Sequence, residues 1–365
     1  MGRMTLIPAA TIEAQILAVL TAWGQPRDLA ETTAEIMVET DLTGVDSHGI
    51  SMLMMYEEML RKGQLRLAGR PRLARDFAAV ALVDAQAGLG HPAAVMAMKL
   101  ACEKARAFGV GAVGVVDSHH FGAAGCYARI AAAQGMVGLV ASSARGILMV
   151  PTRGAAPVLG TNPLAFAAPA GAEPPVLLDM ATTVVAANKV KVYHLNDKPI
   201  PEGWVVDGAG RAVSDSHAAM DHLFGDAGGG IAPLGGSEAG GSHKGYGLAL
   251  MVQLLGGTLV GGSFSPLRNR SQPADAPNNI GHLCLALHPD AFRDGTGFEE
   301  EVAEIARVLR ATPPADPSRP VLVPGDPEEA SRARRMAEGI PVPESLAMLI
   351  RALCERAGAP YLLTP

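Results

Sequence analysis

The segment Gly109-Val110-Gly111-Ala112-Val113-Gly114 has the spacing of a dinucleotide-binding glycine loop, but its flanks are in the reverse order. Such a loop needs a strand before the glycines and a helix after them, so that the helix N-terminus meets a pyrophosphate. Here a helical pattern over 93–108 comes first, and the apolar run Val113-Gly114-Val115-Val116 follows. The glycines therefore read as a helix stop that enters a strand. Whatever this chain binds, a Rossmann frame does not hold it.

The same reading of texture divides the rest of the chain. In the first 75 residues, Asp28-x-x-Glu31 has the form of a capping box, and Ile50, Leu53, Met54 and Leu60 recur at helical spacing until Arg61-Lys62-Gly63 stops the run. From about residue 76, short runs such as Ala79-Val80-Ala81-Leu82-Val83 and Val137-Gly138-Leu139-Val140 read as strands between helices. Between roughly 145 and 282 glycine and proline crowd the chain, and 225–236 reads as loop laid over a scaffold, where function commonly resides. Amphipathic helices return at 299–310 and 327–338, with Val323-Pro324-Gly325-Asp326 as the break between them. We expect a mixed α/β fold whose helical ends pack together: a helical domain of 1–75 with 300–365, and a domain of 76–299 that includes a smaller Gly/Pro-rich subdomain.

Composition narrows the function. With 365 residues, 48% hydrophobic and 18% charged, the chain is large enough for more than one core and too apolar for disorder. A net charge of -6 offers no cationic field for a phosphate backbone, so the expected partner is a small molecule and not a nucleic acid. Cys102, Cys126, Cys284 and Cys354 show no C-x-x-C spacing and suit buried thiols in a reducing compartment. The N-terminus lacks the apolar core of a signal peptide, and no stretch approaches the ~20 uncharged apolar residues of a membrane span. The cytoplasm is the expected location, with no membrane partner.

Five elements carry chemistry. Val45-Asp46-Ser47-His48-Gly49 and Val116-Asp117-Ser118-His119-His120-Phe121-Gly122 each precede a helical pattern, and Asp and Ser are good N-caps, so both are expected to set a histidine at a helix start. The helix end disfavours imidazolium and attracts anions, which suits proton exchange with a 2-hydroxy or 2-oxo acid while its carboxylate is held. The plainer alternative is an ordinary capped helix whose histidine bonds nearby backbone. A metal site built from Asp46, His48, Asp117, His119 and His120 is a further alternative, without the support of an H-E-x-x-H or H-x-H motif. Val158-Leu159-Gly160-Thr161-Asn162-Pro163 reads as a turn of small hydrogen-bonding residues. In Leu177-Leu178-Asp179-Met180-Ala181-Thr182-Thr183 an apolar strand ends in an acid that can accept a ribose hydroxyl, fix a catalytic group or cap the next helix. His243-Lys244-Gly245-Tyr246-Gly247 opens an apolar helix, where Lys244 can meet a phosphate or remain a solvated lysine.

In this order, and together with Pro199-Ile200-Pro201-Glu202-Gly203-Trp204, Pro233-Leu234-Gly235-Gly236 and Pro324-Gly325-Asp326, these elements resemble the type 2 malate/L-lactate dehydrogenase family, whose members also include ureidoglycolate, sulfolactate and diketogulonate enzymes and a cyclic imino-acid reductase. The resemblance covers nearly the whole chain. It implies a homodimer with a non-Rossmann NAD(P)-binding fold: a largely antiparallel sheet flanked by helices from both termini, with the cofactor on the 76–299 domain. It implies hydride transfer between NAD or NADP and C2 of a small 2-oxo or 2-hydroxy acid, with no metal. His120 is the implied acid/base, with His48 beside it, and Ser47, Thr161 and Asn162 meet the substrate. His120, Ser143, Gly160, Thr161, Asp179, Met180, Ala181, Thr182, His243, Lys244, Gly245, Pro324 and Gly325 meet the cofactor.

Where many members of that family have an arginine four residues after the first histidine, this chain has Met52. Methionine cannot imitate a bidentate clamp on a carboxylate, so another group holds the acid or the substrate differs at that end; Arg145 and Arg153 are either stand-ins or ordinary surface arginines. Asn188, where the family often has glycine, is a smaller departure. A cyclic imine reduced by the same cofactor is the alternative within the class, and a metal-dependent lyase or hydrolase the alternative outside it.

Overall fold

The computed structural model describes residues 4–294 and 297–364. Met1, Gly2 and Arg3, part of the N-terminal stretch read above for a signal, lie outside them, as do Gly295, Thr296 and Pro365. The chain forms two compact units, one of residues up to Val140 with Ala165–Leu178 and everything from Cys284, the other of Ala141–Leu164 and Asp179–Leu283.

Strand β1 (Met4–Ile7) leads into α1 (Ala9–Ala22) and α2 (Arg27–Leu42). Both helices start on a proline N-cap, Pro8 and Pro26, with no side-chain cap. The expected capping box at Asp28 is therefore not formed. Pro26 starts the helix early, Asp28 falls inside the first turn, and its carboxylate takes Arg70 instead, at 2.7 Å. A 3-10 turn, Ile50–Met52, precedes α3 (Leu53–Arg61). Then come β2 (Arg72–Phe77), β3 (Val80–Asp84), α4 (Gly90–Phe108), β4 (Val110–Ser118), α5 (Gly125–Ala132) and β5 (Val137–Ser142). The helix-then-strand reading of the glycine segment holds: α4 stops at Gly109 in a left-handed conformation and β4 follows at once. Gly111 is needed because β4 runs so close to α4 that a Cβ would lie 1.9 Å from the Ala101 carbonyl oxygen.

Strands β6 (Leu164–Ala170) and β7 (Glu173–Met180) form the next pair, followed by α6 (Ala187–His194), β8 (Val205–Val206), β9 (Ala212–Val213), α7 (Ser216–Phe224) and β10 (Gly230–Ile231). After them come α8 (Ser242–Gly256), α9 (Ser265–Ser271), β11 (Ile280–Leu287), α10 (Phe298–Arg310), α11 (Asp326–Glu338), β12 (Ile340–Pro343) and α12 (Glu344–Ala357). The main sheet has seven strands in the order β2-β3-β4-β11-β5-β6-β7 and is mostly antiparallel, with β3 and β4 a parallel exception in which Val80 pairs with Ala112 and Asp84 with Val116. A separate three-stranded sheet, β10-β8-β9, packs Val205 and Ile231 with Val190 and Leu223 from α6 and α7.

The chain ends meet in the first unit. β12 pairs antiparallel with β1, and Ile12, Ile16 and Leu20 of α1 share a core with Met37, Tyr56, Ile350 and Leu353. A second core in the same unit sits between α4, α5 and the sheet, where Ala94, Ala97 and Ala101 let the helix lie close to Val113 and Val115. Among the described residues no single helix is long and apolar enough to cross a membrane.

Candidate active site

In the first unit His48 and His120 come together, their ring centres 5.3 Å apart and tilted by 31°. Neither histidine sits at the start of an α-helix, as the sequence suggested. His48 lies before the 3-10 turn, with α3 beginning only at Leu53, and the helix after His120 is α5, whose N-cap is Ala124. Asp117 and Ser118 end strand β4 instead of capping a helix. For His48 the expected neutrality survives with a different cause: burial lowers its pKa. Ser47 holds His48 in place through its hydroxyl, 2.8 Å from Nδ1.

Tyr56 is a residue that sequence reasoning missed. Its hydroxyl lies 2.8 Å from His120 Nδ1, and the Gly122 N–H approaches the same nitrogen at 3.3 Å. Tyr56 is fully buried, and burial drives its pKa far upward, so the phenol keeps its proton. His91, in the first turn of α4, packs edge-on against Tyr56 at 5.9 Å. The sequence carried one faint signal, that Tyr56 shares the buried face of α3 with Leu53 and Met59. Its partner is 64 residues away, a pairing no local pattern can reveal.

The second unit gathers a different set. Asn162 is wholly buried, and its side chain is engaged at both ends: Oδ1 accepts the Ala144 N–H at 3.2 Å and Nδ2 donates to the Ala249 carbonyl at 3.0 Å. Gly160 packs against Ala144 in the same turn. Thr182 ties this turn to the β7 segment, its hydroxyl donating to the carbonyls of Thr161 at 3.0 Å and Asn162 at 3.1 Å. Ser143 Oγ accepts the Gly281 N–H at 3.1 Å. Asp179 and Met180 end β7 half-buried, and Ala181 follows; Asp179 caps no helix, since α6 begins only at Ala187. His243 and Lys244 are exposed in the first turn of α8, next to the buried Gly245. Pro324 belongs to the first unit, where its carbonyl accepts the Leu177 N–H at 2.9 Å, and Gly325 starts α11.

Of the two arginines proposed as stand-ins for a carboxylate clamp, Arg153 is exposed and paired with Glu238 at 2.9 Å, and Arg145 donates to Asn278 at 2.8 Å. Met52 packs against the helical core. Asp46, named in the metal alternative, is paired with Arg335.

The residues of the second unit fit a dinucleotide. Among the described residues no side chain caps α8 at Gly241, and with the Gly241, Ser242 and Lys244 N–H groups already bonded to the carbonyls of Glu238, Ser237 and Gly241, it is the exposed His243 and Lys244 side chains of this first turn that could meet phosphate oxygens. The buried Thr183 hydroxyl, next in chain to the Asp179–Thr182 stretch, has no partner among the described residues. On a mixed fold without a Rossmann loop, a half-buried histidine pair is suited to the proton half of a dehydrogenase reaction whose hydride a nicotinamide would carry.

Comparison with known proteins places it more narrowly. Residues 7–351 match the model of the malate/L-lactate dehydrogenase family. A malate dehydrogenase of Pyrococcus abyssi is 34% identical over 353 residues, 96% of this chain and 95% of the relative. The NADP(+)-named (2R)-3-sulfolactate dehydrogenase of Chromohalobacter salexigens is 34% identical over 343 residues, covering 93% and 96% of the two chains. The crystal structure of malate dehydrogenase from Entamoeba histolytica superposes with a TM-score of 0.91 at 28% identity, over 98% of this chain and 99% of that one. The chain belongs to the malate/L-lactate dehydrogenase family, and it is an NAD(P)-dependent enzyme acting on the CH–OH group of hydroxy acids.

Proposed function

We propose that this enzyme interconverts a small 2-hydroxy acid and its 2-oxo acid, with His120 as the acid/base and His48 beside it. The observation that carries the reading is the histidine pair itself, with Tyr56 on the Nδ1 side of His120. The bound nicotinamide would supply or take the hydride at C2. His120 would handle the matching proton at its other nitrogen, Nε2: as imidazolium it gives the proton to the oxygen formed on reduction, and as neutral imidazole it takes the hydroxyl proton on oxidation. Tyr56, held protonated by burial, serves as an orienting hydroxyl whose oxygen accepts the Nδ1–H in both states of the ring, which leaves Nε2 as the nitrogen that gives and takes the proton. It is not a proton source. Neutral His48, fixed by Ser47, avoids a second positive charge beside an imidazolium and offers its ring to the substrate oxygen or carboxylate.

The cofactor residues proposed are Lys244 and His243 for the phosphates, Asp179 for a ribose hydroxyl, and Thr161 with the Asp179–Thr182 backbone near the nicotinamide. Ser143, Gly160, Asn162, Thr182, Gly245, Pro324 and Gly325 would shape the backbone around them, which their packing and hydrogen bonds support. With Met52 in place of the family's frequent arginine, malate is one candidate among several, and a 2-oxo acid with a different distal group, such as a sulfonate, is another. We further propose a cytoplasmic homodimer, expected to scatter light at about twice the 37.6 kDa chain mass.

The test is titration with NADH and NADPH separately, in metal-free buffer containing chelator, followed by a panel of 2-oxo acids and cyclic imino acids. Saturable binding of one cofactor and turnover of a 2-oxo acid is expected. Turnover of imines alone would move the substrate to the alternative class, and no binding of either cofactor would overturn the reading.

A further inference from the structure

Asp41 stands in the last turn of α2, 2% exposed, where a carboxyl is doubly out of place: it is desolvated, and it lies at the helix end that disfavours negative charge. Its contacts explain its presence. Oδ2 accepts the backbone N–H of Ile50 at 2.8 Å. Oδ1 lies directly against Gly49, so close that a Cβ there would be 1.9 Å from it. Gly49 and Ile50 are the two residues that follow His48. The residues before His48 are held from the other side, because Arg335, buried on α11, donates to the Asp41 carbonyl at 2.6 Å and to Asp46 Oδ2 at 3.2 Å. The turn that carries Ser47 and His48 is thus gripped on both sides by groups 9 and 289 residues away in sequence.

Burial pushes the Asp41 carboxyl up to about 8, with the Asp46 carboxylate raising it further and the Ile50 N–H and Arg335 opposing. The side chain is therefore mostly neutral at neutral pH, which is the form an asparagine reproduces.

Resting on the assignment of His48 to the reacting pair, we propose that Asp41 is a positioning residue: by accepting the Ile50 N–H and packing against Gly49, it fixes the turn that aims the His48 ring at the substrate. Its removal leaves a buried N–H without an acceptor and frees the turn, so the effect falls on turnover and not on cofactor affinity.

Asp41→Ala, Asp41→Asn, His48→Asn and the Asp41→Ala/His48→Asn double variant are compared by steady-state kinetics, with reduced-nicotinamide titration as the check on folding. Asp41→Ala is expected to lower kcat about tenfold at unchanged cofactor affinity. Asp41→Asn is expected to recover kcat to within about threefold of wild type, and Asp41→Ala to add nothing in the His48→Asn background. Should Asp41→Ala not fold, Gly49→Ala pushes the carboxyl away from outside and serves in the same cycle with the same expectation. Full additivity with His48→Asn, or an asparagine no better than alanine, overturns the brace while leaving the histidine pair standing. Wild-type turnover in His48→Asn overturns the histidine assignment, and the brace with it.

Discussion

At the residue scale the decisive groups are buried or half-buried polar side chains, each with few partners. His120→Asn removes the proposed acid/base and is expected to cut kcat by roughly 10²–10⁴-fold with the cofactor titration unchanged; equal turnover would reject the role. Tyr56→Phe keeps the ring packing and removes only the hydroxyl on Nδ1, so a loss of about tenfold in kcat is expected, smaller than that of His120→Asn. Asp41 also makes a stability prediction. Its folded pKa is raised, to about 8, above the unfolded value near 3.8, so the folded state binds the extra proton between those limits. Stability from this group is fully present below about pH 4 and is lost as pH rises towards about 8. Asp41→Asn is therefore expected to match wild type in denaturant melts near pH 4 and to exceed it at pH 8 by on the order of 2–4 kcal/mol. A gap that shrinks with rising pH would show the carboxyl to be ionised and stabilised in the fold. His48, Ser47 and His120 were legible in the sequence because their residue types announce proton chemistry. Tyr56 and Asp41 were not, because tyrosine and aspartate acquire their roles only from the neighbours that the fold brings to them.

At the element scale, helices with a full apolar period were legible and short elements were not. The segments read at 93–108, 299–310 and 327–338 fall within α4, α10 and α11 almost end to end. The Gly/Pro-rich stretch of 145–282, where only 225–236 was read as loop, also contains α6, α7 and the β10-β8-β9 sheet, whose two-residue strands are too short to show a period of two. The helix-start role expected of the two Asp-Ser-His elements failed for a related reason: Asp and Ser favour caps and turns alike, and Asp117, at φ 51°, ends a strand. Lys244 did fall in a first turn, that of α8. Lys244→Glu places a like charge before cofactor phosphates at that helix end, and a tenfold or greater loss of cofactor affinity, steeper at low salt, is expected. Unchanged affinity would return Lys244 to the role of a solvated lysine.

At the scale of the whole molecule, the joining of the chain ends has a direct consequence. Truncation before Ile340 removes β12 and α12, stripping β1 of its partner and exposing Ile12, Ile16 and Tyr56 beside the histidine pair. Loss of several fully buried apolar contacts exceeds the margin of a typical domain, so the truncated chain is expected to be insoluble or unfolded by circular dichroism; a native spectrum with retained turnover would show the C-terminal helix to be dispensable. By itself the sequence determined that the fold is mixed, that the glycine segment is no Rossmann loop, and which histidines and which lysine to watch, because these follow from periodicity, from the order of helix and strand, and from residue chemistry within a few positions. Only the tertiary structure decided that His48 and His120 lie side by side, that burial and not a helix end lowers the His48 pKa, that Tyr56 bonds His120, and that Asp41 and Arg335 hold the turn around His48. Those are consequences of desolvation and of contacts spanning up to 294 residues, and neither is written in any local stretch of chain.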